Sequence, residues 1–164
     1  MGRKCFFSFH YDQDAWRASQ VRNMGKIEGN APVSDNDWET IKAGGAPAIK
    51  KWIGDQLDGK SCAVVLIGAQ TAGRKWINYE IETAWNARKG VVGIYVHNLL
   101  NAAGKQSPKG SNPFTTFTLK SGLALSQVVK AYDPPYSTSK SVYSHISDNL
   151  AAWADEAVTI RNNV

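Results

Sequence analysis

Long apolar runs, metal-ligand spacings and glycine-rich phosphate loops are all missing from this 164-residue sequence. Each absence removes a class of function. No stretch approaches the roughly 20 apolar residues that a membrane-spanning helix needs, so no membrane contact is expected. The start, Met1 to Phe6, carries no apolar h-region, and Phe6 stands where a myristoylation motif has Ser or Thr. A cytoplasmic protein is therefore expected. The two cysteines, Cys5 and Cys62, fall inside predicted strands and read as buried free thiols in a reducing compartment. The three histidines, His10, His97 and His145, have neither ligand spacing nor cysteine neighbours, so no metal site is expected. Gly68, Gly73 and the Gly104-Lys105 pair match neither the GxxxxGKS/T phosphate loop nor GxGxxG. No GxSxG elbow supports a Ser-His-Asp triad. The net charge of +5 would attract an anionic partner, but the basic residues are scattered in ones and twos. Without a basic stripe, nucleic-acid binding is not expected.

What remains is the composition of one globular domain over residues 1–164, 43% hydrophobic and 20% charged. The six tryptophans fill core or half-buried sites, and those beside polar positions are candidates to line a pocket. The run Cys5-Phe6-Phe7-Ser8-Phe9 predicts a central strand, followed by a helix from Asp12 as N-cap to about Met24. Residues 25–45, dominated by Gly, Pro, Asn and Asp, read as a long loop with at most a short edge strand. Ile49, Trp52, Ile53 and Leu57 make one apolar stripe and predict a helix over 47–57. A continuous apolar run at 61–67 marks a strand covered on both faces. A helix over 74–88 and a second buried strand over 90–96 follow.

Residues 97–113 are loose and rich in Gly, Pro and Asn, as in a lid or an insertion. A short strand near 128–132 and a last helix over 141–160 complete the chain. Strands alternating with helices predict an α/β fold: a central parallel sheet in flavodoxin-like order, with helices on both faces in three layers.

Glu80 is the one residue whose placement invites chemistry. In the helix after the central strand, Ile77, Ile81 and Ala84 should face the core. Trp76, Glu80 and Thr83 lie on an adjoining stripe, about 60° round the helix. That stripe looks toward the carboxyl edge of the sheet, where open α/β folds bind ligands. Glu82 should point to solvent. By itself, a helical Glu is more often a surface group or an ion-pair partner than a catalyst.

The spacing of Trp76 and Glu80 after an apolar strand is similar to the motif that carries the catalytic Glu of enzymatic TIR domains. Further blocks extend the likeness: Phe7-Ser8-Phe9-His10-Tyr11-Asp12, Trp16-Arg17, Ile49-Lys50-Lys51-Trp52-Ile53, Val65-Leu66-Ile67-Gly68 and Lys75 through Ile81. Over about residues 4–97 the chain resembles the TIR-like NAD-cleaving domains of bacterial antiphage defence, the ThsB type of the Thoeris system. The resemblance implies a TIR-like fold and an enzyme that converts NAD+, as substrate and with no further cofactor, into an ADP-ribose-derived, cyclic messenger. It also implies a phage-derived trigger, a separate effector protein reached through the messenger, and a homo-oligomer that completes the site.

Glu80 would be the catalytic carboxylate. Phe6, Phe9, His10 and Tyr11 end or follow the first strand, and one of them could stack on nicotinamide or adenine; the alternation leaves open which face is which. Trp76 beside Glu80, Trp38 in the second-strand loop, and Asn112 with Phe114 in the loose segment complete the candidate substrate-binding set. The Arg-Asp-x-x-Pro-Gly character of larger TIR families is missing near Asp35 and Asp37, so that loop's assembly residues are not carried over. Two other readings remain open: a nucleoside deoxyribosyltransferase-like enzyme, and a non-catalytic interaction or nucleotide-sensing module.

Overall fold

The computed structural model describes residues 3–29 and 35–164, with side chains outside 35–38. Strand β1 (Lys4–Ser8) leads into helix α1 (Tyr11–Asn23) and a two-residue strand β2 (Glu28–Gly29). Helices α2 (Asp35–Ala43) and α3 (Gly45–Leu57) precede β3 (Cys62–Ile67). Then come α4 (Lys75–Asn86), β4 (Gly90–Tyr95), a 3-10 turn at Leu125–Gln127, β5 (Ala131–Tyr132) and α5 (Ser139–Asn162). The strands pair in parallel in the order β2-β1-β3-β4-β5, which is the flavodoxin-like order.

Strand alternation divides the core in two. Cys5 and Phe7 of β1, with Cys62, Val64 and Leu66 of β3, pack under α1 and α5. Phe6 of β1, with Ala63, Val65 and Ile67 of β3, packs under α3 and α4. Every residue of β3 and β4 is buried, because parallel strands carry helices on both faces. Cys5 and Cys62 sit opposite each other in the β1–β3 register, both fully buried and both free thiols. The adjacent Cys5 thiol, together with burial, pushes the Cys62 thiol well up and keeps it protonated.

Two glycines let the layers close. A Cβ on Gly90 would lie 2.7 Å from the Val158 nitrogen, so α5 rests directly on the start of β4. A Cβ on Gly93 would lie 2.8 Å from the Phe114 ring, which fills that space on the other face.

The helices differ from the expected ones mainly at their ends. The N-cap of α1 is His10 rather than Asp12, and α5 begins at Ser139, where the Thr138 hydroxyl accepts from the Ser141 N–H at 3.3 Å. One element corrects the sequence reading: α2 forms inside the segment read as a loop. Its last turn carries Lys42, a charge that suits a helix dipole, while Ile41 packs against the α3–α4 core. Flanking Gly, Pro and Asn concealed this short amphipathic stretch. The short edge strand allowed for in the same segment is β2.

The start of the loose segment after β4 is tied to α1 by a buried cation. Arg17 on α1 donates from Nε to the Leu99 carbonyl at 2.7 Å and from Nη2 to the Lys105 carbonyl at 3.0 Å. Its Nη1 meets Asp14 Oδ1 at 2.7 Å, with both side chains almost fully buried. Burial raises the Asp14 carboxyl and the Arg17 contact offsets part of that rise. Removing one partner of such a pair leaves an uncompensated buried charge. Arg17→Ala is expected to lower the unfolding free energy by about 3–5 kcal/mol in urea titration. A loss under 1 kcal/mol would mean that the pair does not hold this loop.

Candidate active site

In a 2-1-3-4-5 sheet, the connections leaving β1 and β3 diverge, opening a crevice at their carboxyl ends. A cleft of about 810 Å³ lies there, a size typical of small-molecule sites. The end of β1 and the turn after it supply Phe6, Phe9 and His10; α1 supplies Tyr11, Asp12, Trp16 and Arg22. Across the opening stand Lys42 of α2, Trp52 of α3, Arg74 and Trp76 at the start of α4, and Glu80 from its middle.

Glu80 is buried more deeply than an adjoining stripe implied. It is 7% exposed, on the same inward side as Ile77, Ile81 and Ala84, while Glu82 is exposed as expected. The Ser8 hydroxyl donates to Glu80 Oε1 at 2.7 Å. Burial pushes the Glu80 carboxyl up to about 8, and the Ser8 bond pulls it only partly back. The ligand-free site therefore holds a mostly protonated carboxyl at neutral pH. His10 titrates below its ordinary value because of burial and the nearby Arg74 cation, so it is neutral there.

The aromatic residues have distinct roles. Phe6 is 1% exposed and meets Trp52 edge-on at 6.4 Å, so it floors the cleft as a core residue. Phe9 and Tyr11, both half-buried, stack at 6.4 Å and 25°. Trp76 is half-buried, with Tyr79 against its edge at 5.8 Å and the Lys75 ammonium 4.9 Å from its ring. Phe9, Tyr11 and Trp76 are half-buried ring surfaces of the cleft on which a ligand ring could stack.

The structure thus brings Phe6, Phe9, His10, Tyr11, Trp76 and Glu80 to one cleft. Asn112 and Phe114 are not among the residues that line this cleft. Phe114 is fully buried in the α3–α4 core, and Asn112 Oδ1 accepts the Phe114 N–H at 2.9 Å, so the pair secures the loop to the sheet. The Trp38 side chain lies outside the described residues. Sequence reasoning missed Ser8, Arg74, Lys42 and Arg22, and took Trp52 only as part of a core stripe. Ser8 follows Phe6 by two, which puts both on one face of β1, but nothing in the sequence says that α4 covers that face. Among the described residues no cluster of His, Cys, Asp and Glu could hold a metal, and no helix is long and apolar enough to cross a membrane.

Comparison with known proteins places this site in a family context. Residues 6–101, which include Ser8, the aromatic residues of the β1–α1 turn and Glu80, match the model of the TIR-like domain of Thoeris protein ThsB. A protein of Bacillus cereus (strain MSX-D12), named "Putative cyclic ADP-D-ribose synthase ThsB1", is 36% identical over 119 residues. The matched stretch covers 70% of this chain and 62% of that protein, so the chain spans less than two thirds of its relative's length.

Glu80 also makes a stability prediction. The ordinary value of this carboxyl is 4.5, and burial in the folded chain pushes it up to about 8. Between these values the folded state keeps a proton that the unfolded state has lost, so Glu80 destabilises the fold increasingly as pH rises. The effect is absent below about 4.5 and levels off above about 8. Glu80→Gln cannot ionise and should be more stable than wild type by on the order of 3–5 kcal/mol at pH 8. The advantage should shrink toward acid pH. Melting curves of both proteins across pH 5–8 check it, and a constant difference would exclude a raised Glu80.

Proposed function

The chain belongs to the TIR-like domain family of Thoeris protein ThsB, and from that premise we propose that it cleaves NAD+ and forms an ADP-ribose-derived, cyclic signalling nucleotide in antiphage defence. The messenger would act on a separate effector protein, production would follow a phage-derived trigger, and neighbouring copies of the chain would complete the site. The observation that carries this reading is Glu80, a buried carboxyl opening on an aromatic cleft at the switch point of the sheet.

The chemistry needs one carboxylate. A glycosidase acting on an alkoxide leaving group needs a second carboxyl as proton donor. The nicotinamide of NAD+ is already cationic. When the C1′–N bond breaks, its electron pair stays with nicotinamide, which departs as a neutral base without a proton. The positive charge moves to the ribosyl carbon and ring oxygen, where ionised Glu80 stabilises it electrostatically. An attacking hydroxyl of the same molecule then bonds to C1′ and releases its proton, closing a ring; water in its place gives linear ADP-ribose.

The cleft also fits the rest of a dinucleotide. Phe9, Tyr11 and Trp76 offer ring faces, and Arg74 and Lys42 on the lining supply positive charge that suits a diphosphate. A cationic ring beside Glu80 favours the ionised carboxyl, so binding should expel the proton held by the ligand-free site.

Two measurements test this reading. Mass spectrometry of small molecules from cells with wild type or Glu80→Gln, with and without phage, should reveal an ADP-ribose-containing species made only by wild type. The purified Glu80→Gln protein should lose NAD+ turnover by about a hundredfold or more, while Glu82→Gln changes it less than twofold. Release of bases from deoxynucleosides without NAD+ loss would redirect the assignment to a deoxyribosyltransferase. The pH dependence adds a sign: kcat/KM should rise with pH to a midpoint near about 8, and kcat should have a lower midpoint because the bound cation ionises Glu80. A flat kcat/KM over this range would remove Glu80 from the reaction.

A further inference from the structure

We infer that Ser8 is a positioning residue for Glu80: its hydroxyl holds Oε1 and leaves Oε2 as the oxygen that meets the substrate ribose. The inference rests on the reading of Glu80 as the catalytic carboxyl. Its basis is the geometry of the pair. Ser8 Oγ lies 2.7 Å from Oε1, the ordinary length of an O–H···O hydrogen bond. Ser8 is 1% exposed and Glu80 7%, so water does not compete for the contact.

The two groups come from different rigid elements. Ser8 is the last residue of β1, opposite Val65 in the β1–β3 register, with its main chain fixed by the centre of the sheet. Glu80 comes from the middle of α4, 72 residues further on. The terminal torsion of a glutamate is broad, so helix position alone does not orient the carboxyl plane. The bond from Ser8 supplies that orientation. Oε2 has no hydrogen-bond partner among the described residues, and Glu80 lines the cleft. Oε2 is thus the oxygen available to a ligand.

The same bond bears on ionisation. A hydroxyl donating to a carboxylate stabilises the charged form, the one that the proposed reaction uses. His10, Tyr11, Asp12, Arg22, Lys42 and Arg74 line the same cleft from β1 to α4, yet the departure of Glu80 from ordinary behaviour has two causes, burial and the Ser8 bond. Ser8 is therefore the group through which the fold counters its own desolvation of Glu80.

The test compares wild type, Ser8→Ala, Ser8→Cys and Glu80→Gln by the pH profile of NAD+ loss and by carboxyl 13C titration of Glu80 in glutamate-labelled protein. Ser8→Ala should raise both midpoints by about one pH unit and lower kcat near neutral pH by about tenfold, with KM changed less. Ser8→Cys keeps a weak donor of similar size and should shift both midpoints by less, in the same direction. If both variants titrate as wild type does, the inference is overturned while the Glu80 assignment stands. If Glu80→Gln still consumes NAD+, the assignment itself fails, and Ser8 has no part in the reaction.

Discussion

Burial of the parallel sheet on both faces is the constraint on which the rest of the structure depends. With α1 and α5 on one side and α3 and α4 on the other, β3 and β4 have no residue free for solvent. Polar side chains can then be reached from outside only at the strand ends. The connections leaving β1 and β3 diverge there, so the carboxyl edge is where the fold is open. Ser8 lies at that boundary: its backbone belongs to the ladder and its hydroxyl to the Glu80 carboxyl that lines the cleft. The Arg17 anchor acts at the same edge on the other face, holding the segment after β4 against α1 so that irregular backbone can pass close to the sheet.

A protein selected only for stability would not keep an acid at Glu80. Its carboxyl loses most of its water and recovers one hydrogen bond from Ser8, and the result is a group pushed up to about 8. A glutamine or an apolar residue of that size would spare the fold the ionisation cost at neutral pH. On the proposed reading, a buried acid beside an aromatic cleft fits the pattern of an active site in which stability yields to function. The same burial that makes the ionised carboxyl costly also strengthens its attraction for a positive charge brought alongside.

The sequence revealed the sheet well because its evidence is local and redundant. Continuous apolar runs for β3 and β4, and the stripe of Ile49, Ile53 and Leu57 on α3, leave little choice of element or order. Glu80 stood out through its distance from Trp76 and from the strand before it. Features set by tertiary packing were not legible. The α2 helix is short and flanked by residues that break helices. Phe114 and Asn112 occupy a segment that looks mobile in one dimension, but Gly93 opens a hole in β4 that the Phe114 ring fills. The partnership of Ser8 with Glu80 joins residues 72 positions apart and depends on which face α4 covers. Periodicity gives two alternatives for that face and no means to choose between them.

On the proposed reading, the protonated resting state of Glu80 becomes a source of selectivity. A neutral carboxyl has little attraction for the uncharged ring of a reduced dinucleotide, so binding such a ligand leaves the proton in place. The cationic ring of the oxidised form changes the balance, because the ion pair it offers is worth most in a buried site. Differential binding energy of this kind ionises the catalyst only when a substrate with a departing cationic base is present. The aromatic walls and the basic rim would accept either form of the dinucleotide about equally. Discrimination would therefore rest on the one group that the fold has made expensive to charge.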